Sequence, residues 1–220
     1  MPCFLAGLSQ AKVLAKMLGV PMYEFSHQQG HIAAVAYSTG NEKLLEKPLL
    51  AWHLSGGTTE LLLVEPSDSG FACRIVGGTT DISAGQLIDR TGDLLGMSFP
   101  AGKAMDAFAA DVKGFDVKLR GLEFSLSGVE NKVKQRVAAG APDAETAGFA
   151  LATVVSAVRR TTEAAFGQFG SLPVMFTGGV ASNSMLRKKI PEGIFAEPRF
   201  STDNAFGVAA LTLAAVRNGR

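Results

Sequence analysis

The chain has 220 residues, of which 47% are hydrophobic and 19% charged, and a formal net charge of +1. These values fit a globular chain with a sizeable core in one or two domains. They exclude a disordered chain and a uniformly basic nucleic-acid coat. No apolar run reaches the roughly 18–20 residues of a membrane helix, and the first residues lack the pattern of a signal peptide. Two cysteines, Cys3 and Cys73, are too few for a disulfide framework. A cytoplasmic location without membrane contact is therefore expected.

In chain order, apolar residues at helical spacing predict a helix over 4–18, stopped by Gly19 and Pro21. A short strand is expected over 21–25, then a helix over 27–37 with Ser26 as its N-cap. Apolar runs at 49–54, 61–64 and 71–76 have strand length and suggest a sheet of consecutive strands. Helices are expected over 83–95, 103–112, 127–138 and 143–166. A buried strand over 172–176, a helix over about 181–190 and a closing helix over about 203–217 complete the chain. This order indicates an α/β fold.

Four constellations carry chemistry. His27 and His31 stand at i and i+4, on one helical face, close enough to share an ion. The HExxH peptidase helix uses that spacing, but its basic Glu is here Gln28, which takes no proton at neutral pH. Two surface or capping histidines are the alternative. The stretch from Ser55 to Thr59, with Gly56 and Gly57, follows an apolar strand; its amides and hydroxyls suit phosphate oxygens, and equally a hairpin turn. Gly178 and Gly179, followed by Ser182 and Asn183, form a strand–glycine–helix passage of the kind that seats a nucleotide at a helix start. Asp203 opens the last helix as a cap or as an oxygen ligand. Two glycine loops, one in each half, suggest two lobes with a nucleotide between them.

Taken together these segments resemble the TsaD (Kae/Gcp, "glycoprotease") family of the actin/Hsp70/sugar-kinase superfamily. The similarity runs through most of the chain. His27 and His31 resemble its metal pair, and Leu54-Ser55-Gly56-Gly57 its first nucleotide loop. The segment from Asp81 to Asp89 resembles its D-D-A-x-G-E-A-x-D stretch, and Phe99-Pro100-Ala101-Gly102 its tyrosine-proline-glycine-glycine turn. Phe124 to Gly128 resembles F-S-F-S-G, Gly178 to Asn183 resembles G-G-V-x-A-N, and Ser201 to Asn204 resembles C-T-D-N.

The resemblance implies a ribonuclease H-like, two-lobed fold, its first lobe lacking the N-terminal strands and their acidic D-T-S-x-D-D-T loop. Residues 1–80 would form the partial first lobe with the His pair and first glycine loop. Residues 81–175 would be the helical middle of the second lobe, and 176–220 the second glycine loop and closing helix. It implies transfer of the threonylcarbamoyl group from threonylcarbamoyl-AMP to N6 of adenosine 37 in tRNA. His27, His31 and Asp203 would hold a divalent metal, iron or zinc. His53, Leu54, Ser55, Gly56, Gly57, Asp89, Gly102, Gly178, Gly179 and Asn183 would contact ATP or the adenylate. Expected partners are tRNA and TsaB-like and TsaE-like proteins. Lys132, Lys134 and Arg136, and Arg187, Lys188 and Lys189, are basic runs that would meet tRNA phosphates or equally form solvated helix faces, and Lys103 adjoins the nucleotide residue Gly102. A lobe short of strands would expose an edge or an apolar helix face, so poor monomer stability, or self-association that covers the gap, is expected. Thr58, Ile82, Gln86, Arg90 and Glu130 depart from the family pattern. A catalytically impaired nucleotide-binding scaffold of the family is therefore the second reading, and a metallopeptidase the third.

Overall fold

The computed structural model describes residues 2–67, 70–202 and 204–217. Helix α1 (Pro2–Leu18) leads through an extended connector to α2 (His27–Ser38). The Ser26 hydroxyl accepts the Gln29 N–H at 3.2 Å, and the Gln29 side chain accepts the Ser26 N–H at 2.7 Å. This reciprocal cap fixes where α2 begins, and so where His27 and His31 stand. A 3-10 turn (Glu42–Glu46) precedes the meander β1 (Leu49–Leu54), β2 (Thr59–Ser67) and β3 (Gly70–Thr79). Then come α3 (Ala84–Leu94), α4 (Gly102–Phe108), β4 (Glu123–Phe124), α5 (Ser127–Ala138) and the long α6 (Asp143–Phe169). The chain closes with β5 (Val174–Thr177), a 3-10 turn (Gly179–Ser182), α7 (Ser184–Lys189), β6 (Ile194–Phe195) and α8 (Ala205–Arg217).

All six strands form one sheet in the order β4-β3-β2-β1-β5-β6. Strand β1 runs parallel to β5, and β2 is antiparallel to both β1 and β3. Strands β4 and β6 run parallel to β3 and β5. Only β2 is reversed, so the other five strands all end on the same side of the sheet, at their C-terminal ends. Strand β1 is central and buried along its whole length, which is why it reads as an unbroken apolar run. Alternation sends Leu50, Trp52 and Leu54 to the face covered by α3, α5 and α6. It sends Leu49 and Ala51, and with them His53, to the face covered by α2 and α8. Trp52 is fully buried and donates its indole N–H to Thr162 at 2.9 Å.

Several expectations shift. Residues 21–25 are an extended connector and not a strand; the sheet edges belong to β4 and β6, two-residue strands too short to announce themselves. The helix expected over 103–112 stops at Phe108, because Ala109 turns extended and the Ala110 N–H bonds the Ala144 carbonyl. The helix expected over 181–190 is broken at Asn183, which is extended and caps α7. Among the described residues, no helix is long and apolar enough to cross a membrane.

Asp81 joins the β3–α3 loop to the start of α5. Its carboxylate accepts the Ser125 hydroxyl at 2.5 Å, the Leu126 N–H at 2.9 Å and the Ile82 N–H at 2.8 Å. Burial alone would raise its pKa, but bonds from Ser125, Ser127, Leu126 and Ile82 outweigh it and hold the carboxyl down to about 2, against an ordinary 3.8. The ionised form is thus favoured by folding: its contribution is complete above pH 3.8 and is lost as pH falls through 2. Asp81→Asn is expected to cost roughly 1 kcal/mol at neutral pH, the low end for charge-assisted bonds because the carboxylate is exposed. Urea unfolding should show that difference shrinking between about pH 4 and 2; a constant difference would contradict the assignment.

Candidate metal and nucleotide site

Three imidazoles converge where α2 crosses the end of β1. His27 Nε2 and His31 Nε2 are 3.2 Å apart. The His53 ring lies 4.7 Å from that of His31 and 5.7 Å from that of His27, centre to centre. One nitrogen from each of the three falls within 4.8 Å of the others. His31 and His53 are buried, 6% and 5% exposed, while His27 faces solvent. Burial foremost, and then the neighbouring His31 and His27, pushes His53 down to about 4. At neutral pH it is a neutral imidazole with a lone pair to offer, the form a metal requires. Three imidazole nitrogens suit a borderline ion such as zinc or iron(II), with room left for a further ligand. His27 is held in place by its backbone, whose carbonyl accepts the Asn204 side-chain N–H at 2.7 Å. Asp203, the expected third ligand, lies outside the described residues.

The two glycine loops stand side by side, because β1 and β5 are parallel neighbours and both end there. The first is the four-residue hairpin turn between β1 and β2: Ser55 N–H bonds the Thr58 carbonyl at 2.8 Å. The Ser55 hydroxyl accepts the N–H groups of Gly57 and Thr58, so those two amides are already engaged. The start of α3 rests directly on this loop. A Cβ at Gly85 would lie 2.5 Å from Gly56 Cα, so only glycine fits. Ser83 donates its hydroxyl to the Gly56 carbonyl at 2.7 Å. In the second loop Gly178 adopts φ +93°, and a Cβ there would run into the Leu54 carbonyl. Its N–H bonds the Ser201 carbonyl at 2.7 Å.

Beside these loops opens a groove of about 440 Å³. Of the residues expected at a nucleotide, Gly56, Asp89, Gly102, Gly179 and Asn183 line it. Leu54 and Gly178 sit behind it as framework: Leu54 is fully buried, and Gly178 packs on its carbonyl. His53 lies on the other sheet face, with the histidine pair. Asp89 accepts the Ala101 N–H at 2.9 Å and so fixes the turn at Phe99-Pro100, a cis peptide. Phe99 is 83% exposed at the groove wall, an open ring face for a base. Asn183 caps α7 through Leu186 and donates to Asp106 at 2.7 Å, so its amide positions the loop. Asp106 also accepts the Ser184 N–H and hydroxyl, at 3.0 and 2.9 Å. Sequence reading singled out neither Asp106 nor the membership of His53 in the histidine cluster. For His53 a signal existed: a histidine at an inward position of a buried strand.

Three of the departures from the family pattern, Gln86, Arg90 and Glu130, have structural roles. Gln86 accepts the Ser83 N–H at 3.0 Å in the cap of α3. Arg90 and Lys134 both pair with Glu130 at 2.6 Å.

A central sheet with two glycine loops on adjacent parallel strand ends, flanked by helices on both faces, is an α/β fold of the actin/Hsp70/sugar-kinase type. Solved structures share it, two of them as follows. The phosphate- and nucleotide-bound form of full-length HypF superposes with a TM-score of 0.72 at 13% identity, over 92% of this chain and 44% of that one. Component A of the (R)-2-hydroxyglutaryl-CoA dehydratase of Acidaminococcus fermentans gives 0.56 at 15% identity, over 91% of this chain and 73% of that one. At such identities the likeness is one of fold. The family follows from sequence: residues 1–210 match the model of the TsaD family, tRNA N6-adenosine threonylcarbamoyltransferase, and the chain belongs to that family. The enzyme of that name from Sorangium cellulosum is 34% identical over 96% of this chain and 68% of its own length. That of Thermus thermophilus is 36% identical over 97% and 66%. The chain thus spans about two thirds of the relatives it matches.

Proposed function

We propose that the chain carries the metal and nucleotide site for transferring a threonylcarbamoyl group from threonylcarbamoyl-AMP to N6 of an adenosine in tRNA. The observation that supports this best is the juxtaposition of the histidine cluster with the glycine-lined groove at one strand-end edge. His27, His31 and His53 would hold a zinc or iron ion, which supplies Lewis-acid stabilisation of developing negative charge. The remaining work falls to the chain itself. The Gly56 and Gly179 backbones allow an adenylate close approach, and Phe99 offers its ring to the adenine. Lys103, also on the groove wall, supplies positive charge to a phosphate. Holding the acyl adenylate beside an incoming base contributes the proximity term.

A direct test incubates the chain with threonylcarbamoyl-AMP and a tRNA transcript and reads modified nucleosides by mass spectrometry. Threonylcarbamoyladenosine supports the reading. Nucleotide binding without product, in the presence of TsaB-like and TsaE-like proteins, would instead identify an impaired scaffold.

Helix α1 carries Leu5, Val13, Leu14, Met17 and Leu18, each more than half exposed. Exposed apolar surface of this kind costs free energy in water at about 25 cal/mol per Å², and we infer that a second copy covers the face of Val13, Leu14, Met17 and Leu18. Light scattering behind gel filtration is expected to show association that rises with concentration and falls in Leu14→Lys/Met17→Lys. A compact monomer at all concentrations would contradict this.

A further inference from the structure

A second cavity, of about 420 Å³, opens beyond β3 and β4 at the same strand-end edge. Val117, Phe124 and Val129 give it an apolar floor, and Lys118, Arg120 and Lys132 line its mouth. None of these three cations enters an ion pair among the described residues. The neighbouring basic residues are already engaged: Lys134 with Glu130, and Arg136 with Glu145. Glu123 is the one acid lining the cavity, so three positive charges less one negative leave two positive charges there. Asp81, behind Ser125, is occupied by its own hydrogen bonds.

The wall is aromatic as well as basic. Phe115 is 38% exposed, and Lys132 Nζ lies 4.4 Å from the centre of its ring. This wall is fixed by α6 at three successive residues. The Phe115 N–H donates to the Thr153 hydroxyl at 2.8 Å, Asp116 accepts the Ser156 hydroxyl at 2.9 Å, and the Val117 carbonyl accepts Arg160 at 2.8 Å. Arg120 is set by a two-bond turn with Glu123. A site already in place pays little ordering cost on binding.

We propose that this cavity docks one unpaired nucleotide of an RNA strand, its base against Phe115 and its phosphates against Lys118, Arg120 and Lys132. The inference rests on the tRNA substrate proposed above and adds where that RNA is held. An aromatic ring over an apolar floor takes the face of any base, and cations without acid partners take phosphates. The cavity has the size of a small-molecule pocket, so it admits a splayed nucleotide and not a duplex, which proteins read across a wide groove. Strand β4 lies three strand spacings from β1, roughly 14 Å. A strand that delivers its target base to the glycine-lined groove therefore has neighbouring nucleotides within reach of this cavity.

Fluorescence anisotropy with the full chain tests it, using a labelled short RNA hairpin with an unpaired loop and the same stem without the loop. Phe115→Ala is expected to weaken hairpin binding about tenfold with little change in salt dependence. Lys118→Ala and Arg120→Ala should each weaken it several-fold and lower the salt slope by about one, while Arg120→Lys keeps the slope. Lys43→Ala, on the distant 3-10 turn, should bind as the parent does. Equal binding by all variants, or equal binding of the loopless stem, would overturn the proposal. An adenylate titration of the same proteins separates the two readings. Loop-dependent RNA binding through Phe115, with no adenylate binding, supports this docking site and sinks the transfer reading. Adenylate binding with RNA indifferent to Phe115 does the reverse.

Discussion

His31→Ala is expected to lower the affinity for zinc or iron(II) by at least about a hundredfold, since even partners behind metal ligands cost about 10–100-fold when lost. His31 is the middle ring of the cluster, next to both His27 and His53. A metal present at about 100 times its dissociation constant stabilises the folded state by about 2.7 kcal/mol. The parent should therefore melt higher with metal than with chelator, and the variant should melt alike in both. That comparison holds even if the loss of a buried ring lowers both melting points. Metal content after dialysis, read by emission spectroscopy, should fall from one ion per chain to none. His53→Ala sharpens the test, because His53 was expected at the nucleotide. If the ion is held by all three histidines, His53→Ala loses it as His31→Ala does. Retention of the ion in His53→Ala would assign the site to His27, His31 and a ligand other than His53.

Gly178→Ala is expected to destabilise the chain by about 3 kcal/mol and to abolish nucleotide binding. The new methyl meets the backbone carbonyl of Leu54, in the central strand, and neither can swing away as a side chain would. Overpacking of this kind costs about 1–3 kcal/mol, and the φ of +93° adds about 1–2 kcal/mol for any residue with a Cβ. Moving apart β1 and β5 would also part the two glycine loops. Gly179→Ala is the matched control, because its Cβ meets only the Thr202 methyl at 3.5 Å. Urea unfolding should show a large loss for Gly178→Ala and less than about 1 kcal/mol for Gly179→Ala. Equal losses would contradict the packing described.

Most elements were legible because local signals and burial agree. Ser26 announces the start of α2, and the run from Leu49 to Leu54 announces a strand, which the fold buries on both faces. What sequence could not supply was partnership. Period two places His53 inward, but only the crossing of α2 over β1 brings it to His27 and His31. The adjacency of the two glycine loops depends on a parallel pairing between residues more than a hundred positions apart. Nothing local marks Asp106, whose role is to receive Asn183 and Ser184, far along the chain. The strand expected at 21–25 failed for the converse reason: local pattern without a partner strand makes no sheet.

The most direct test of the account is a calorimetric titration of the metal-loaded chain with threonylcarbamoyl-AMP, repeated on Phe99→Ala. The account predicts one saturable site whose affinity falls several-fold when the Phe99 ring is removed. A folded, metal-loaded chain that releases no binding heat, or binds equally without Phe99 and with Gly179→Val, would contradict the placement of the adenylate in the glycine-lined groove.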